Sequence, residues 1–206
     1  EKMEKMVGQY FDGHPDTETS CQVVEGAPLI EFLRKVKEED IDLVVMRKRG
    51  GPWETGALFE KLARKAPCSV LFVPEGSKAW FRNILVPVDF SENAKDALEV
   101  GISIGLASKG IKQIYCLHVY SVPIGFYKTG KTYEEFAEIM RGHAQRYYAE
   151  FIQKVDLKGL AAVPIFKLEK KEYRGIHDVI EERGISLVVI GARGRKAGAG
   201  VLLGSV

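Results

Sequence analysis

Continuous apolar runs mark the strands of this sequence. The clearest runs occupy residues 84–88, 114–119 and 185–190. Residues 84–88 are apolar throughout, and the other two runs are interrupted only by His118 and Ser186. Runs of this kind favour strands that are buried on both faces, as in a parallel sheet. A further run at 162–166 contains Pro164, which suits the edge of a sheet because proline donates no main-chain hydrogen bond.

Amphipathic helices are predicted between these runs. Ser91 is the expected cap of a helix that lies close against the sheet, because small residues dominate its apolar stripe. Thr132 opens a long helix over 132–155, with Glu135 at capping-box distance, and a third helix covers 174–183. This alternation predicts right-handed βαβ units in a doubly wound α/β fold. The stripe of the first of these helices comprises Ala94, Ala97, Leu98, Gly101, Ile102 and Gly105.

The chain contains an internal repeat at an offset of 144 residues. Residues 41–50 align with residues 185–194, and six of these ten positions are identical. Self-similarity of this kind indicates that one structural unit occurs twice. The elements predicted for the first copy are a helix that ends near residue 7, a strand at 21–24, a strand within 41–46, a helix over 58–66 and a strand over 69–73.

Each copy is incomplete at its own end of the chain. The counterpart of Arg82 falls before the first residue, and the counterpart of Val73 falls beyond the last. We therefore expect a tandem, with the later part of a first domain at 1–76 and a second domain at 82–206 that lacks its final segment. Because that gap would leave a sheet edge uncovered, we expect a fragment of a tandem of roughly 280 residues.

Composition and charge exclude several classes of protein. Hydrophobic residues make up 46% and charged residues 28% of the chain, a balance that argues against disorder. The net charge of +2 is far smaller than the basic excess expected of a dedicated nucleic-acid binder. No apolar run is long enough for a membrane span. The three cysteines are too few for a disulfide framework, so we expect buried thiols and a cytoplasmic protein.

The turn that follows residues 185–190 is rich in glycine and in cationic side chains. It begins at the carboxyl end of a parallel strand, where open α/β sheets bind their ligands. Glycines let main-chain N–H groups approach phosphate oxygens, and a helix start presents further free N–H groups. The turn therefore predicts a phosphate site, with a flexible surface loop as the alternative. Its relevant residues are Gly191, Arg193, Gly194, Arg195, Lys196, Gly204 and Ser205.

The spacing of this turn is that of neither a P-loop nor a Rossmann G-x-G-x-x-G turn. The pattern Gly191-x2-Gly194-x9-Gly204-Ser205 instead resembles the ATP-binding signature G-x2-G-x9-G-[ST] of the universal stress protein family. Residues 83–91 resemble the family's opening strand and the aspartate that follows it. The resemblance covers 82–206 well and 15–76 more weakly, so the chain resembles a tandem universal stress protein.

The resemblance implies a five-stranded parallel sheet, Rossmann-like and similar to the adenine nucleotide alpha hydrolases, with ATP across the strand ends. Pro87 would line the base pocket, Asp89 would bind the ribose or adenine side, and Val119 would offer main-chain groups to adenine. A carboxylate can accept hydrogen bonds from ribose hydroxyls, and the alternative for Asp89 is a turn or helix-cap residue. The resemblance leaves ADP, AMP and a bound Mg²⁺ open. Ribose and phosphates would be held by Gly191, Gly194, Gly204 and Ser205.

The first copy departs from this signature. Arg47 stands opposite Gly191, and Glu60 and Lys61 stand opposite Gly204 and Ser205. The Arg47 side chain would crowd a nucleotide, and the Glu60 carboxylate would repel phosphate. We therefore expect one nucleotide site in each chain, in the second copy.

The function that the resemblance implies is a nucleotide-binding stress or regulatory module. A slow nucleotide hydrolase and a scaffold that binds no nucleotide are the alternatives. The pyrophosphatase-type loop S-G-G-x-D-S is absent after residues 84–88, which argues against the enzyme, and the intact signature argues against the scaffold. His118 is expected to be a packed histidine, and neither catalytic residues nor metal ligands are predicted.

Assembly is expected to follow the family. Its final strands pair across a two-fold axis, so residues 69–73 would pair with the final strand of the second copy. That pairing would give a pseudo-dimer within the chain, and two chains could associate further as a homodimer.

Overall fold

The computed structural model describes residues 2–11, 17–48, 56–78 and 81–191. Within these ranges the chain forms six α-helices, six strands and one 3-10 helix. The helices are α1 (Lys2–Phe11), α2 (Pro28–Glu38), α3 (Gly56–Lys65), α4 (Glu92–Ala107), α5 (Tyr133–Ile152) and α6 (Glu172–Arg183), and the 3-10 helix is Phe126–Thr129. The strands are β1 (Leu43–Lys48), β2 (Ser69–Pro74), β3 (Ile84–Pro87), β4 (Gln113–Tyr120), β5 (Ala161–Leu168) and β6 (Leu187–Val188).

The larger sheet is parallel and has the strand order β5-β4-β3-β6. Its register places Ile84 opposite both Ile114 and Leu187. Helices α4 and α5 cover one face, and α6 covers the other. The predicted doubly wound α/β fold is therefore confirmed. The described part of this sheet has four strands, and the fifth strand that the family resemblance implies stays a prediction.

Helix α4 lies close against the sheet because its inner face is small. Its six buried residues are the six of the predicted stripe. A Cβ added at Gly101 would lie 3.1 Å from Cγ2 of Val86, and one added at Gly105 would lie 3.0 Å from Cδ1 of Leu160. Larger side chains at these two positions would push the helix away from the strands.

Helix α5 begins with the predicted capping box. The Thr132 hydroxyl accepts a hydrogen bond from the Glu135 amide at 3.1 Å, and the Glu135 carboxylate accepts one from the Thr132 amide at 2.8 Å. This reciprocal pair satisfies two main-chain donors that the helix itself leaves unpaired. Further along the helix, Tyr148 and Phe151 are buried in the larger core.

Strand β5 is an outer strand in the described part of the larger sheet, as its proline predicted. Pro164 lies opposite Cys116 of β4. Burial raises the pKa of the Cys116 thiol to about 11, so this group stays protonated at neutral pH. None of the three cysteines, all within the described ranges, forms a disulfide.

The smaller sheet consists of β1 and β2, which run parallel with Leu43 opposite Ser69. Helices α2 and α3 cover it around a core of Val36, Val44 and Leu62. Leu71 of β2 also packs against the core of the larger sheet.

Two strand predictions need correction. The predicted strand at 21–24 is wrong, because residues 17–27 contain no strand. Its counterpart β5 pairs with β4, and residues 17–48 and 56–78 contain no strand equivalent to β4 with which it could pair. The run at 185–190 shortens to β6, although the Val189 amide still donates to the Leu85 carbonyl at 2.9 Å.

No helix within the described ranges combines the length and the apolar character that crossing a membrane demands.

Because α4 packs tightly on the sheet, shortening a buried side chain on its inner face is expected to lower the stability of the fold substantially. Leu98 is 0% exposed and Leu106, on the same helix, is 49% exposed. Leu98→Ala is expected to lower the free energy of unfolding by about 2–5 kcal/mol, because it removes buried apolar surface and leaves a cavity. Leu106→Ala is expected to change it by less than about 1 kcal/mol. Urea unfolding of both variants checks this, and equal losses would contradict the packing described.

Candidate functional site

A cleft opens at the carboxyl ends of β3 and β4. It holds about 390 Å³ of empty space, part of which is open to solvent. Three of the predicted site residues, from two different strands, lie in its wall, and Glu172 of α6 completes it. The lining residues are Pro87, Val88, Asp89, Leu117, His118, Val119 and Glu172.

The floor of the cleft is formed by the ends of the two strands. Pro87 is buried and lies opposite Leu117, and the Val88 amide donates to the Leu117 carbonyl at 2.8 Å. The ladder thus continues one residue beyond β3 before the chain turns. Apolar side chains held this rigidly form a flat surface against which a planar ring can pack.

Asp89 organises the turn that follows β3. Its Oδ1 accepts hydrogen bonds from the Ser91 amide at 3.0 Å and from the Ser91 hydroxyl at 2.5 Å. The Ser91 hydroxyl in turn accepts from the Ala94 amide at 3.2 Å and so caps α4. The turn role weighed for Asp89 is therefore real, but it uses one carboxylate oxygen. Within the described ranges, Oδ2 makes no hydrogen bond or ion pair.

Between these residues, Phe90 adopts a left-handed conformation with a φ of 65°. A residue with a Cβ pays about 1–2 kcal/mol for this conformation. The Phe90 ring packs on the His118 ring, with 4.4 Å between their centroids, and on Phe151 of the core. Aromatic packing of this kind holds the strained turn in place.

His118 is tied to the main chain. Its Nδ1 lies 2.8 Å from the Val88 carbonyl oxygen. Because a carbonyl oxygen only accepts, Nδ1 carries the hydrogen of this bond. This bond also links the ends of β3 and β4 beside the cleft.

Helix α6 reaches the cleft through its first turn. Gly175 is buried, and a Cβ there would lie 2.8 Å from Cγ2 of Val119. The missing side chain lets α6 sit against the end of β4, which brings Glu172 to the rim of the cleft. The sequence prediction missed Glu172, since it started this helix two residues later. An acidic residue in a helix's first turn is the signal that could have extended it.

Gly191 lies next to the Asp89 turn. A Cβ at this position would lie 2.6 Å from the Asn93 carbonyl carbon and 3.1 Å from the Ala94 amide nitrogen. Glycine is thus required here for packing on the first turn of α4, whatever the ligand. The other signature residues, Gly194, Gly204 and Ser205, lie outside the described residues, as do Arg193, Arg195 and Lys196.

The two acidic side chains of the cleft are hydrogen-bond acceptors. Asp89 and Glu172 each present a carboxylate to it. No lysine or arginine occurs among the described lining residues. The cleft therefore suits a ligand that presents N–H and O–H donors, and it disfavours an anion. Within the described ranges no group of three histidine, cysteine or acidic side chains is arranged to hold a metal ion.

The smaller sheet differs at the equivalent position. Arg47, opposite Gly191 in the repeat, extends from β1, and its Nη2 lies 2.8 Å from Oε1 of Glu75. The side chain thus reaches across the end of the neighbouring strand β2.

Comparisons with known proteins agree with this fold. The chain is 32% identical over 136 residues to universal stress protein Sll1388 of Synechocystis sp., an alignment that covers 61% of this chain and 88% of that protein. A solved universal stress protein of Archaeoglobus fulgidus shares the fold over 96% of this chain and 69% of its own, with a TM-score of 0.60 and 17% identity. UspA of Lactobacillus plantarum is similar over 62% of this chain and 88% of its own, with a TM-score of 0.43 and 24% identity.

The family model described as the universal stress protein family matches two stretches, residues 4–74 and 81–206. These stretches contain the smaller and the larger sheet respectively, and together they span nearly the whole chain. This chain therefore belongs to the universal stress protein family.

Proposed function

We propose that this chain is a stress-response module that binds one adenine nucleotide, with the base and ribose in the cleft and the phosphates on the glycine-rich turn after β6. The observation that carries the proposal is the convergence of Pro87, Asp89 and Val119 in one cleft. The family resemblance selects these residues together with the turn that begins at Gly191.

The order of the strands supports one orientation of the nucleotide. Strand β3 lies between β4 and β6, so the strand ends run from the glycine-rich turn, past Asp89, to Val119. Neighbouring strands are about 4.8 Å apart, and two such spacings match the distance from phosphate to base in an extended nucleotide. Ribose would then lie near Asp89, whose Oδ2 is available to a hydroxyl group.

The charges support the same orientation. A triphosphate would be repelled by the carboxylates of Asp89 and Glu172 if it lay in the cleft. The turn after β6 supplies glycine N–H groups and three cationic side chains, which suit an anion. ATP, ADP and AMP share the base and ribose, so the same cleft serves all three.

We also propose that the two sheets belong to two tandem domains that associate within the chain. The separate matches to the family model support the tandem, and the contact of Leu71 with the larger core supports the association. Nucleotide occupancy would then act on assembly or partner binding. With three cysteines outside disulfides, we place the protein in a reducing compartment, the cytoplasm.

The glycine-rich turn can be tested by the nucleotide that purifies with the chain. Native mass spectrometry is expected to detect a bound adenine nucleotide. Gly204→Glu, which reproduces the residue at the matching position of the first copy, is expected to lose it, because the added carboxylate repels phosphate. Gly142→Glu is the control, since Gly142 faces open space on α5. A Gly204→Glu chain that keeps its nucleotide would show that the turn is wrongly assigned.

Asp89 can be tested without breaking its turn. Asp89→Asn keeps an oxygen for Ser91 but removes the charge, so ATP is expected to bind about five- to tenfold more weakly while the fold is retained. Asp96→Asn, on the exposed side of α4, is expected to bind ATP as the unaltered chain does. Isothermal calorimetry measures both variants, and equal affinities would remove Asp89 from the site.

The number of sites follows from the differences between the copies. Arg47, paired with Glu75, stands where the second copy has Gly191, so calorimetry is expected to give one ATP for each chain. Two equivalent sites would contradict the assignment of the first copy as degenerate.

A further inference from the structure

Glu172 is the one carboxylate of the cleft that the family signature leaves without a role. It is the first residue of α6, and it lines the cleft on the side of β4. Within the described ranges its carboxylate takes part in no hydrogen bond or ion pair. Other acids of α6 are engaged, because Lys167 lies 3.3 Å from Oδ2 of Asp178 and 2.8 Å from Oε1 of Glu182.

The position of Glu172 at the strand ends determines which part of a bound nucleotide it would contact. The glycine-rich turn follows β6 on one side of β3, and Glu172 lines the cleft on the other side, together with Val119 of β4. A nucleotide with its phosphates on the turn and its ribose at Asp89 presents its base to Glu172. This step rests on the proposed function.

The chemistry of the side chain then limits what it can recognise. An ionised carboxylate only accepts hydrogen bonds, so its partner must be an N–H donor of the base. On adenine the donor is the exocyclic amino group, since the ring nitrogens of the base are acceptors. We propose that Glu172 accepts a hydrogen bond from this amino group and so makes the cleft selective for bases that carry it.

Packing makes Glu172 suited to this task. The contact of Gly175 with Val119 fixes the first turn of α6 against the strand that carries the base pocket. Glu172 is also partly buried. A hydrogen bond to a charged acceptor that is partly shielded from water is worth a factor of about 10 to 100 in affinity.

The test compares two ligands that differ only at this group. Purine riboside 5′-triphosphate has the ribose, phosphates and ring nitrogens of ATP but lacks the 6-amino group. The unaltered chain is expected to bind ATP about 10- to 100-fold more tightly than this analogue. In Glu172→Ala the ratio is expected to fall close to one, with the loss falling on ATP alone. In Glu172→Gln, whose amide oxygen still accepts, the ratio is expected to lie between these values.

A matched variant separates recognition from effects on the helix. Glu134 lies in the first turn of α5, is exposed and does not line the cleft, so Glu134→Ala is expected to keep the ratio of the unaltered chain. If Glu172→Ala kept the ratio of the two affinities, whether or not both ligands bound more weakly, the role of Glu172 would be overturned. Nucleotide binding itself would still stand. If the unaltered chain bound neither ligand, the proposed function would fail and the role of Glu172 with it.

Discussion

The larger sheet and its cleft depend on the close approach of α4 to β3 and to the turn after β6. Gly101 and Gly105 let the helix lie close to the sheet, and Gly191 itself lies against the helix's first residues. Because Ser91 caps the same helix and holds Asp89, one contact surface positions both the carboxylate of the cleft and the start of the glycine-rich turn. Side chains at these glycines would move α4 away from the sheet and from Gly191.

The proposed site would divide its charges along the row of strand ends. The described cleft holds hydrogen-bond acceptors, and in the sequence three cationic residues follow Gly191. A ligand with donors at one end and negative charge at the other matches this division, and a nucleotide has that form. The strained turn at Phe90 and the bond from His118 to the Val88 carbonyl hold the wall of the cleft in place, which would lower the entropy lost when a ligand binds there.

Sequence patterns predicted the features that depend on residues close together in the chain. The buried stripe of α4 and the capping box of α5 depend on residues three or four positions apart, so spacing alone revealed them. The edge position of β5 followed from the missing amide of Pro164. The strand expected at 21–24 failed because a strand needs a partner, and the partner is not a property of the run itself.

The sequence by itself determined the fold class, the family and the glycine-rich signature, because periodicity and fixed spacing record them directly. It also selected Pro87, Asp89 and Val119, but only through the family resemblance. Tertiary structure decided that these three share one cleft, that Asp89 commits one oxygen to Ser91, and that Glu172 joins them. These features depend on which strand ends are neighbours and on how closely α6 packs against β4 at Gly175. Both are set by packing between segments that are remote in the chain.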